Sequence, residues 1–219
     1  DFNTESKNLL STMVNNTAVD VQIENGHLYF KQEYVVVGNN TITIDFLAGN
    51  NSLNRYDEYL YSLLVPDRAS TVFPCFDQPD LKAAYTLSVL APKTWHVVSA
   101  TRENKVEAAG KNKKWFFPQS KRFSTYIFNL MAGPYKVWES KAGNIPLRLF
   151  ARQSLAKYVK PDFWFQISKQ GFEFFENYFG VAYPFGKYDQ LIVPDFNSGA
   201  MENVGAVTFS ERFIKRGSE

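Results

Sequence analysis

The residues best suited to chemistry lie in the stretch SGAMENVGA, residues 198–206. Here Glu202 stands between two pairs of small residues, Gly199-Ala200 and Gly205-Ala206. Because glycine and alanine have almost no side chain, the backbone of a ligand can approach this segment and pair with its N–H and C=O groups. A carboxylate beside such a strand can hold an ammonium group through a charge-assisted contact. The residues alone also fit an ordinary turn before a strand, so both interpretations stay open at this point.

The rest of the chain offers little that suits a catalytic or metal-binding centre. Its two histidines, His27 and His96, are 69 positions apart and cannot form the His pair, four residues apart on one helix, that binds zinc in many peptidases. We expect both to be surface or packing residues. The single cysteine, Cys75, has no partner for an internal disulfide. The sequence therefore predicts no zinc site of this kind within these 219 residues.

The composition describes a globular chain and excludes several classes of partner. Hydrophobic residues make up 45% of the chain, charged residues make up 21%, and the formal net charge is +2. The basic residues are scattered, so the chain has no positive surface of the kind that binds nucleic acid. No apolar run approaches the roughly 20 residues that a membrane-spanning helix needs.

Alternating patterns predict short strands through the first two thirds of the chain. Apolar and polar residues alternate over Ile42–Phe46, and Asn25-Gly26 has the composition of a hairpin turn. Further strands are predicted at Val19–Ile23, Tyr85–Val89, Trp95–Ser99, Trp115–Phe117, Tyr126–Leu130 and Tyr135–Glu139. Residues 1–142 are therefore predicted to form an antiparallel β-sandwich-like domain, and the fold class is mainly β.

The pattern changes after a small polar linker at residues 141–144. A helix is predicted at Pro161–Phe179, because Pro161 suits a first turn and Gly180 suits a C-terminal cap. Four apolar residues share one face of this helix at the right spacing: Phe163, Ile167, Phe174 and Tyr178. Flanking strands are predicted at Ile145–Ala151, Gln190–Val193 and Ala206–Phe209. Residues 143–219 are thus predicted to be a mixed α/β domain that is incomplete, since so small a domain buries little surface.

A second distinctive stretch, Phe73–Pro79, reads FPCFDQP and joins two strand regions. On its own, this run of aromatic, proline and acidic residues predicts a rigid packed turn with a buried thiol. Together with SGAMENVGA it resembles the M1 family of zinc aminopeptidases, the gluzincins that include aminopeptidase N. The exopeptidase signature G-x-M-E-N matches Gly199–Asn203, and F-P-C-F-D-x-P with K-A close behind matches Phe73–Pro79 and Lys82-Ala83. The order and separation of the two motifs also fit, over essentially the whole chain.

The resemblance implies an N-terminal β-saddle domain followed by the first part of a thermolysin-like catalytic domain. Five residues are expected to contact a peptide substrate: Gly199, Ala200, Met201, Glu202 and Asn203. In the family, the Glu at the position of Glu202 binds the free α-ammonium group, while the backbone of the two small residues aligns the peptide. Met201 is expected to contribute to a subsite, and Asn203 to hold Glu202 or the local backbone by hydrogen bonding. A carboxylate so placed admits only a free N-terminal residue, which makes the parent enzyme an aminopeptidase.

The implied cofactor of the parent enzyme is zinc. In the family, the motif H-E-x-x-H on a helix and a further Glu follow G-x-M-E-N, so the zinc ligands are expected beyond residue 219. The 219 residues alone are expected to bind no catalytic zinc and to hydrolyse no peptide. The expected partners are peptides with a free N-terminus and the remainder of the catalytic domain, with no nucleic acid and no membrane span in this segment.

Two features leave other interpretations open. Relatives carry a Gln or Glu shortly before F-P-C-F-D, where this chain has Val65-Pro66-Asp67. Asp67 is the candidate replacement in the first subsite, although it suits a surface pair with Arg68 equally well. The alternative function is a non-catalytic β-domain for binding or scaffolding, as in a degenerate relative without the metal. The sequence does not determine the compartment, with a periplasmic or cell-surface location slightly favoured over the cytoplasm.

Overall fold

The computed structural model describes residues 1–217, so Ser218 and Glu219, the last two residues of the predicted second domain, lie outside the described part. Within residues 1–217 the chain is mainly β-structure, with antiparallel sheets first and one α-helix later. This confirms the predicted fold class. No helix within these residues is long and apolar enough to cross a membrane.

The chain divides into two compact units. The first contains Asp1–Arg55, Ser62–Lys82 and Ser124–Tyr126, and the second contains Tyr56–Tyr61, Ala83–Phe123 and the described residues from Ile127 onwards. The predicted division between residues 142 and 143 stays a prediction. It falls in the turn of a β-hairpin, in which Ala142 lies opposite Ile145, so residues 141–144 are not the linker that the sequence suggested.

The first unit is built on short antiparallel strands. These are β1 (Leu9–Val14), β2 (Thr17–Ala18), β3 (Gln22–Glu24), β4 (His27–Tyr29) and β5 (Ile42–Phe46), followed by β6 (Leu53–Tyr56) at the unit boundary. Strand β1 lies between β2 and β5, and β3 pairs with β4. The predicted turn is confirmed, because Asn25 and Gly26 both have positive φ, 52° and 78°. The predicted strand Val19–Ile23 is wrong. The Val19 N–H donates to the Thr12 carbonyl, whereas Gln22–Glu24 pairs with β4. Alternation of apolar and polar residues cannot show that the chain changes its pairing partner between these two stretches.

Two groups of antiparallel strands follow in the second unit. Their strands are β7 (Tyr59–Ser62), β8 (Leu87–Pro92), β9 (His96–Ser99), β10 (Lys105–Ala109), β11 (Asn112–Phe117) and β12 (Leu130–Gly133). They pair antiparallel in the orders β10-β11-β8 and β7-β12-β9. Strand β6, at the unit boundary, also pairs with β7. A shared core fills the space between the two groups: Ala91, Val97, Trp115, Phe117 and Ala132.

The predicted strand Tyr126–Leu130 is wrong in most of its length. Residues 125–127 form a turn of 3₁₀-helix, and β12 begins only at Leu130, opposite Ser99. The apolar and aromatic composition suited a strand. The backbone carbonyl of Ile127, however, accepts a hydrogen bond from the Val204 N–H and not from a neighbouring strand.

A five-stranded mixed sheet completes the second unit. Its strands are β13 (Lys136–Ala142), β14 (Ile145–Ala151), β15 (Tyr188–Val193), β16 (Ala200–Met201) and β17 (Ala206–Ser210), in the order β13-β14-β15-β17-β16. Strands β14, β15 and β17 run parallel, whereas β13 and β16 are antiparallel to their neighbours. Leu147, Leu149 and Ile192 are fully buried in the core of this sheet.

Helix α1 (Pro161–Phe179) connects β14 to β15 with the predicted bounds. It ends at Gly180, which adopts the left-handed conformation, φ 66°, and donates its N–H to the Glu176 carbonyl at 3.0 Å. Phe165 is buried against the sheet core. The four residues of the predicted apolar face are exposed instead, between 51% and 71% of each: Phe163, Ile167, Phe174 and Tyr178.

Candidate functional site

The segment that carries the predicted substrate-binding residues lies at an edge of the mixed sheet. We call residues 194–205, between β15 and β17, the recognition segment. Within residues 1–217, its strand β16 pairs with β17 only, with Ala200 opposite Phe209 and Met201 opposite Thr208. The other edge of β16 is therefore open.

Side chains along the recognition segment alternate between solvent and the interior. Ala200 and Glu202 are exposed, whereas Met201 and Asn203 are buried. This alternation is the two-residue period of extended backbone. The Glu202 carboxylate makes no hydrogen bond or ion pair with any residue from 1 to 217. An exposed carboxylate without a partner is available to a cation.

The backbone of Ala200 faces the open edge. The Ser210 N–H donates to the Gly199 carbonyl at 3.0 Å, which makes these two residues a hydrogen-bonded pair of the ladder. The next residue of an antiparallel ladder turns both backbone groups away from the partner strand. The N–H and C=O of Ala200 therefore point to the open edge, and Glu202 follows directly after the end of β16. Gly199 itself is half-buried, and a Cβ there would lie 3.3 Å from the Phe213 ring.

The two buried residues of the predicted set face the protein. The Asn203 Nδ2 group donates to Thr208 Oγ1 over a long 3.5 Å, and its Oδ1 has no partner among the described residues. The hydrogen bonds of the described chain do not include one from Asn203 to Glu202. Substrate contacts of Met201 and Asn203 stay predictions.

Two tyrosines of β7 hold the start of the recognition segment. The Tyr61 hydroxyl donates to the Pro194 carbonyl at 2.8 Å, and the Tyr59 hydroxyl donates to Asp195 Oδ2 at 3.0 Å. Asp195 has a positive φ of 53°, an uncommon conformation for a residue with a side chain. Burial raises the pKa of Tyr61 to about 12 and raises that of Tyr59 as well. Both hydroxyls therefore remain protonated donors at neutral pH.

Residues 127–129 hold the end of the recognition segment. The Val204 N–H donates to the Ile127 carbonyl at 3.2 Å, and the Val204 carbonyl accepts a bond from Asn129 Nδ2 at 3.0 Å. Asn129 is completely buried. Its own carbonyl accepts a bond from the Ser99 hydroxyl at 2.7 Å. Both peptide groups of Val204, two residues after Glu202, are thus bound to one short piece of chain.

A buried ionic network lies next to this end of the segment. Asp189 receives Arg148 Nη2 at 2.6 Å and Lys187 Nζ at 2.7 Å, and Arg148 also reaches Glu103 at 2.9 Å. Burial lowers the pKa of Lys187. Burial alone raises the pKa of Asp189, but the charges of Lys187 and Arg148 hold it below its usual value. The Asp189 N–H donates to the Gly205 carbonyl at 3.0 Å, which joins the network to the segment.

The described residues do not fit a metal site. No group of three or more His, Cys, Asp or Glu side chains is placed to hold a metal ion within residues 1–217. His27 contacts the Asp1 carboxylate, and the His96 ring lies 6.4 Å from those of Trp115 and Phe150. Both histidines are exposed, in line with the expectation for them.

The second motif forms a compact turn in the first unit. Asp77 is buried, and its carboxylate accepts bonds from the Ser70 N–H at 2.8 Å and from Thr125 Oγ1 at 3.3 Å. The Cys75 thiol is only half-buried, although burial still raises its pKa to about 12. The carboxylate of the motif therefore attaches this turn to Ser70 and Thr125 of the same unit.

The predicted first-subsite position lies in a tight turn of the same unit. The Arg68 N–H donates to the Val65 carbonyl at 3.0 Å, and Asp67 has a positive φ of 68°. Proline followed by a residue with positive φ is typical of a type II turn. A role for Asp67 in substrate binding stays a prediction.

Sequence reasoning missed the residues that hold the recognition segment. Asn129 was assigned to a strand, although a buried amide among apolar residues is the kind of group that has a specific partner. Tyr59 and Tyr61 lie in an alternating aromatic run that marks a strand and says nothing about its partners. Their contacts are more than 70 positions away in sequence, beyond the reach of any local pattern.

Two family models match the chain. The model described as "Peptidase M1 N-terminal domain" matches residues 4–127, and the model described as "Peptidase family M1 domain" matches residues 163–217.

Curated relatives match as well. Aminopeptidase N of Streptomyces lividans is 44% identical over 72% of this chain and 18% of its own length. Glutamyl aminopeptidase of Mus musculus is 32% identical over 84% of this chain and 22% of its own length. Aminopeptidase Ey of Gallus gallus is 32% identical over 68% of this chain and 16% of its own length. The chain thus spans about a fifth of the length of these relatives.

Proposed function

Because the chain belongs to peptidase family M1, we propose that it is the N-terminal portion of a zinc-dependent aminopeptidase and that residues 199–203 bind the amino end of a peptide substrate. The observation that carries the proposal is the open edge of β16, followed directly by an exposed glutamate. Ala200 offers backbone groups for pairing, and Glu202, the residue after the strand, offers a carboxylate that has no partner within residues 1–217.

The open edge suits a peptide bound as an added strand. The N–H and C=O of Ala200 can pair with the main chain of a peptide of any sequence, and the small side chain leaves room for its approach. This mode of binding aligns the substrate without selecting its side chains. It therefore supports a role for Gly199 and Ala200 as the aligning part of the site.

Glu202 can supply the exopeptidase specificity. Glu202 follows Ala200 by two residues, and a free α-ammonium group is the natural partner for its exposed carboxylate. A peptide whose chain continued through this position would leave the carboxylate desolvated and unpaired. The cost of that unpaired charge favours substrates that begin there.

We include zinc in the proposal because the family is zinc-dependent, and not because the described residues form a zinc site. Those residues, 1–217, do not fit a zinc site. In the proposal, the part of the parent protein outside this chain supplies the metal ligands and the base, and this chain supplies substrate recognition.

The proposal is tested by Glu202→Gln in the full-length parent protein. We expect kcat/KM for leucyl p-nitroanilide to fall about 10- to 100-fold, because a hydrogen bond to a charged group contributes about 1.5–3 kcal/mol. Most of the loss should lie in KM, since the ammonium group is bound both before and during the reaction.

Glu107→Gln is the matched control, because Glu107 is an exposed carboxylate whose partner within residues 1–217 is Lys105 on its own strand. It should leave the kinetics unchanged. Unchanged kinetics in Glu202→Gln would contradict the role of Glu202. A zinc-loaded wild-type parent without aminopeptidase activity would contradict the assignment and favour the alternative of a non-catalytic binding domain.

A further inference from the structure

The position of the Glu202 carboxylate depends on the backbone that carries it. Glu202 has no side-chain partner within residues 1–217, and only two residues of the recognition segment are in a regular strand. Nothing in the side chain's surroundings therefore fixes the carboxylate. Whatever fixes the two ends of the segment therefore fixes the point of the backbone from which the Glu202 side chain extends, relative to Ala200.

The structure assigns this task to Asn129 and Tyr61, and we propose that both are positioning residues for recognition of the substrate's α-ammonium group. This inference rests on the proposed function. Neither residue contacts the substrate in this inference. Each acts through the backbone of the recognition segment, Asn129 at Val204 and Tyr61 at Pro194.

The contact of Asn129 is close to the carboxylate in sequence. Val204 follows Glu202 by two residues, and its carbonyl accepts the 3.0 Å bond from Asn129 Nδ2. The Ser99 hydroxyl binds the Asn129 carbonyl at 2.7 Å, and Leu130 pairs with Ser99 in the β9–β12 ladder. Asn129 is thus attached to a sheet on one side and to the recognition segment on the other.

Asn129 is a poor choice of residue for stability alone. It is completely buried, and its Oδ1 has no hydrogen-bond partner among the described residues. A buried amide with an unpaired oxygen costs free energy that an apolar residue of similar volume would not. Its one side-chain bond within residues 1–217, to the Val204 carbonyl, is the reason for an amide at this position.

Tyr61 acts at the other end, where the backbone is constrained. Its hydroxyl, fully buried, binds the Pro194 carbonyl at 2.8 Å, next to Asp195 with its positive φ. A residue in this conformation persists only where its surroundings hold it. The bond from Tyr61 and the neighbouring bond from Tyr59 to the Asp195 carboxylate provide that support.

The test measures selectivity for the α-amine in the full-length parent protein. The probes are leucine hydroxamate and its des-amino counterpart, 4-methylpentanoic hydroxamic acid, which differ only in the amine. The ratio of their inhibition constants reports how well the carboxylate meets the ammonium group. Because both constants are measured on the same active molecules, a loss of folded protein does not change the ratio.

We expect a wild-type ratio of about 10- to 100-fold in favour of the amine and a ratio near one in Glu202→Ala. Asn129→Leu and Tyr61→Phe should each lower the ratio about 2- to 10-fold, because each removes one hydrogen bond that fixes the segment. If Asn129→Leu yields no soluble enzyme, Tyr61→Phe alone decides the question.

Tyr135→Phe is the matched control. Tyr135 is also a buried tyrosine of the second unit, but its hydroxyl has no hydrogen-bond partner among the described residues. Its removal should leave the ratio unchanged. A high wild-type ratio that Glu202→Ala abolishes and Tyr61→Phe leaves intact would overturn this inference and leave the proposed function standing. A wild-type ratio near one would overturn both.

Discussion

Glu202 is available to a ligand because side chains of this extended segment alternate between solvent and the interior. With Ala200 facing out, Glu202 faces out as well, and Met201 and Asn203 turn inwards. A shift of one residue in the pairing between β16 and β17 would bury the carboxylate and expose Met201. The register of a two-residue strand therefore decides whether the motif has a usable acid.

The sequence revealed the residues of this motif but not the residues that hold its backbone in place. Small residues around an acid are visible in any reading of the chain. The hydroxyl of Tyr61 and the amide of Asn129 are not, because their importance comes from backbone groups 133 and 75 positions away. Such contacts exist only once the fold brings the segments together.

The ionic network under the segment gives a prediction about stability. Asp189→Asn removes the negative charge that Lys187 and Arg148 share in the interior, and we expect the 219-residue chain to lose about 3 kcal/mol in urea unfolding at pH 7. Glu107→Gln, at an exposed ion pair, should change the free energy of unfolding by less than about 0.5 kcal/mol. Equal effects of the two substitutions would contradict the prediction.

The same group sets the direction of the response to acid. The folded-state pKa of Asp189 lies below that of an unfolded carboxyl, so its contribution is complete above the unfolded value of about 4 and is lost as the pH falls below it. The free energy of unfolding of the wild type should decline over this range more steeply than that of Asp189→Asn.

At the scale of elements, helix α1 shows what periodicity can and cannot establish. Its bounds were predictable because a proline begins it and a glycine in the left-handed conformation ends it. The apolar residues do share a face, and the rings of Phe174 and Tyr178 stack at 5.7 Å. Yet the residue buried against the sheet is Phe165, which lies outside this face. The pattern did not predict this, because a helix with apolar residues on two sides does not reveal which side the sheet covers.

The exposed side of α1 predicts how the 219-residue chain behaves in solution. An aromatic stripe in contact with water promotes self-association. Replacing Phe174 and Tyr178 by serine should reduce concentration-dependent aggregation in light scattering, with little change in the free energy of unfolding. Phe165→Ala should instead lower that free energy by about 3–5 kcal/mol, since it opens a cavity in the core. Unchanged aggregation of the double variant would count against the role of the stripe.

The hairpin of β13 and β14 shows the limit of composition as a guide to domain limits. Residues 141–144 are small and polar, which is typical both of linkers and of turns. Only the strand on each side decides between the two, and here seven residues of each strand pair across the turn. The predicted division at 142/143 needs support from a measurement other than composition.

At the scale of the whole molecule, the chain has a mainly β fold and spans about a fifth of the length of its relatives. The fold class was predictable because strand alternation and turn residues recur along the chain. The division into two compact units was not, because the first unit draws on three separate stretches of sequence.

Metal binding provides a prediction at this scale. We expect the 219-residue chain, stripped with a chelator and titrated with Zn²⁺ in a calorimeter, to show no binding tighter than about 10 µM, whereas the full-length parent should bind tightly. The reason is that residues 1–217 bring no three suitable ligands together. Stoichiometric, submicromolar binding by the 219-residue chain would refute the expectation.

Gly205 limits how freely the recognition segment can be altered by sequence variation. It has φ 64°, and a Cβ on it would lie 2.3 Å from the Ala100 carbonyl oxygen, a distance that no side chain tolerates. Every codon other than those for glycine should therefore disappear from a randomised library selected for folded protein, even though exposed positions of the recognition segment such as Asn197 and Ser198 accept change. Attempts to evolve new amine selectivity around Glu202 have to leave this one position untouched.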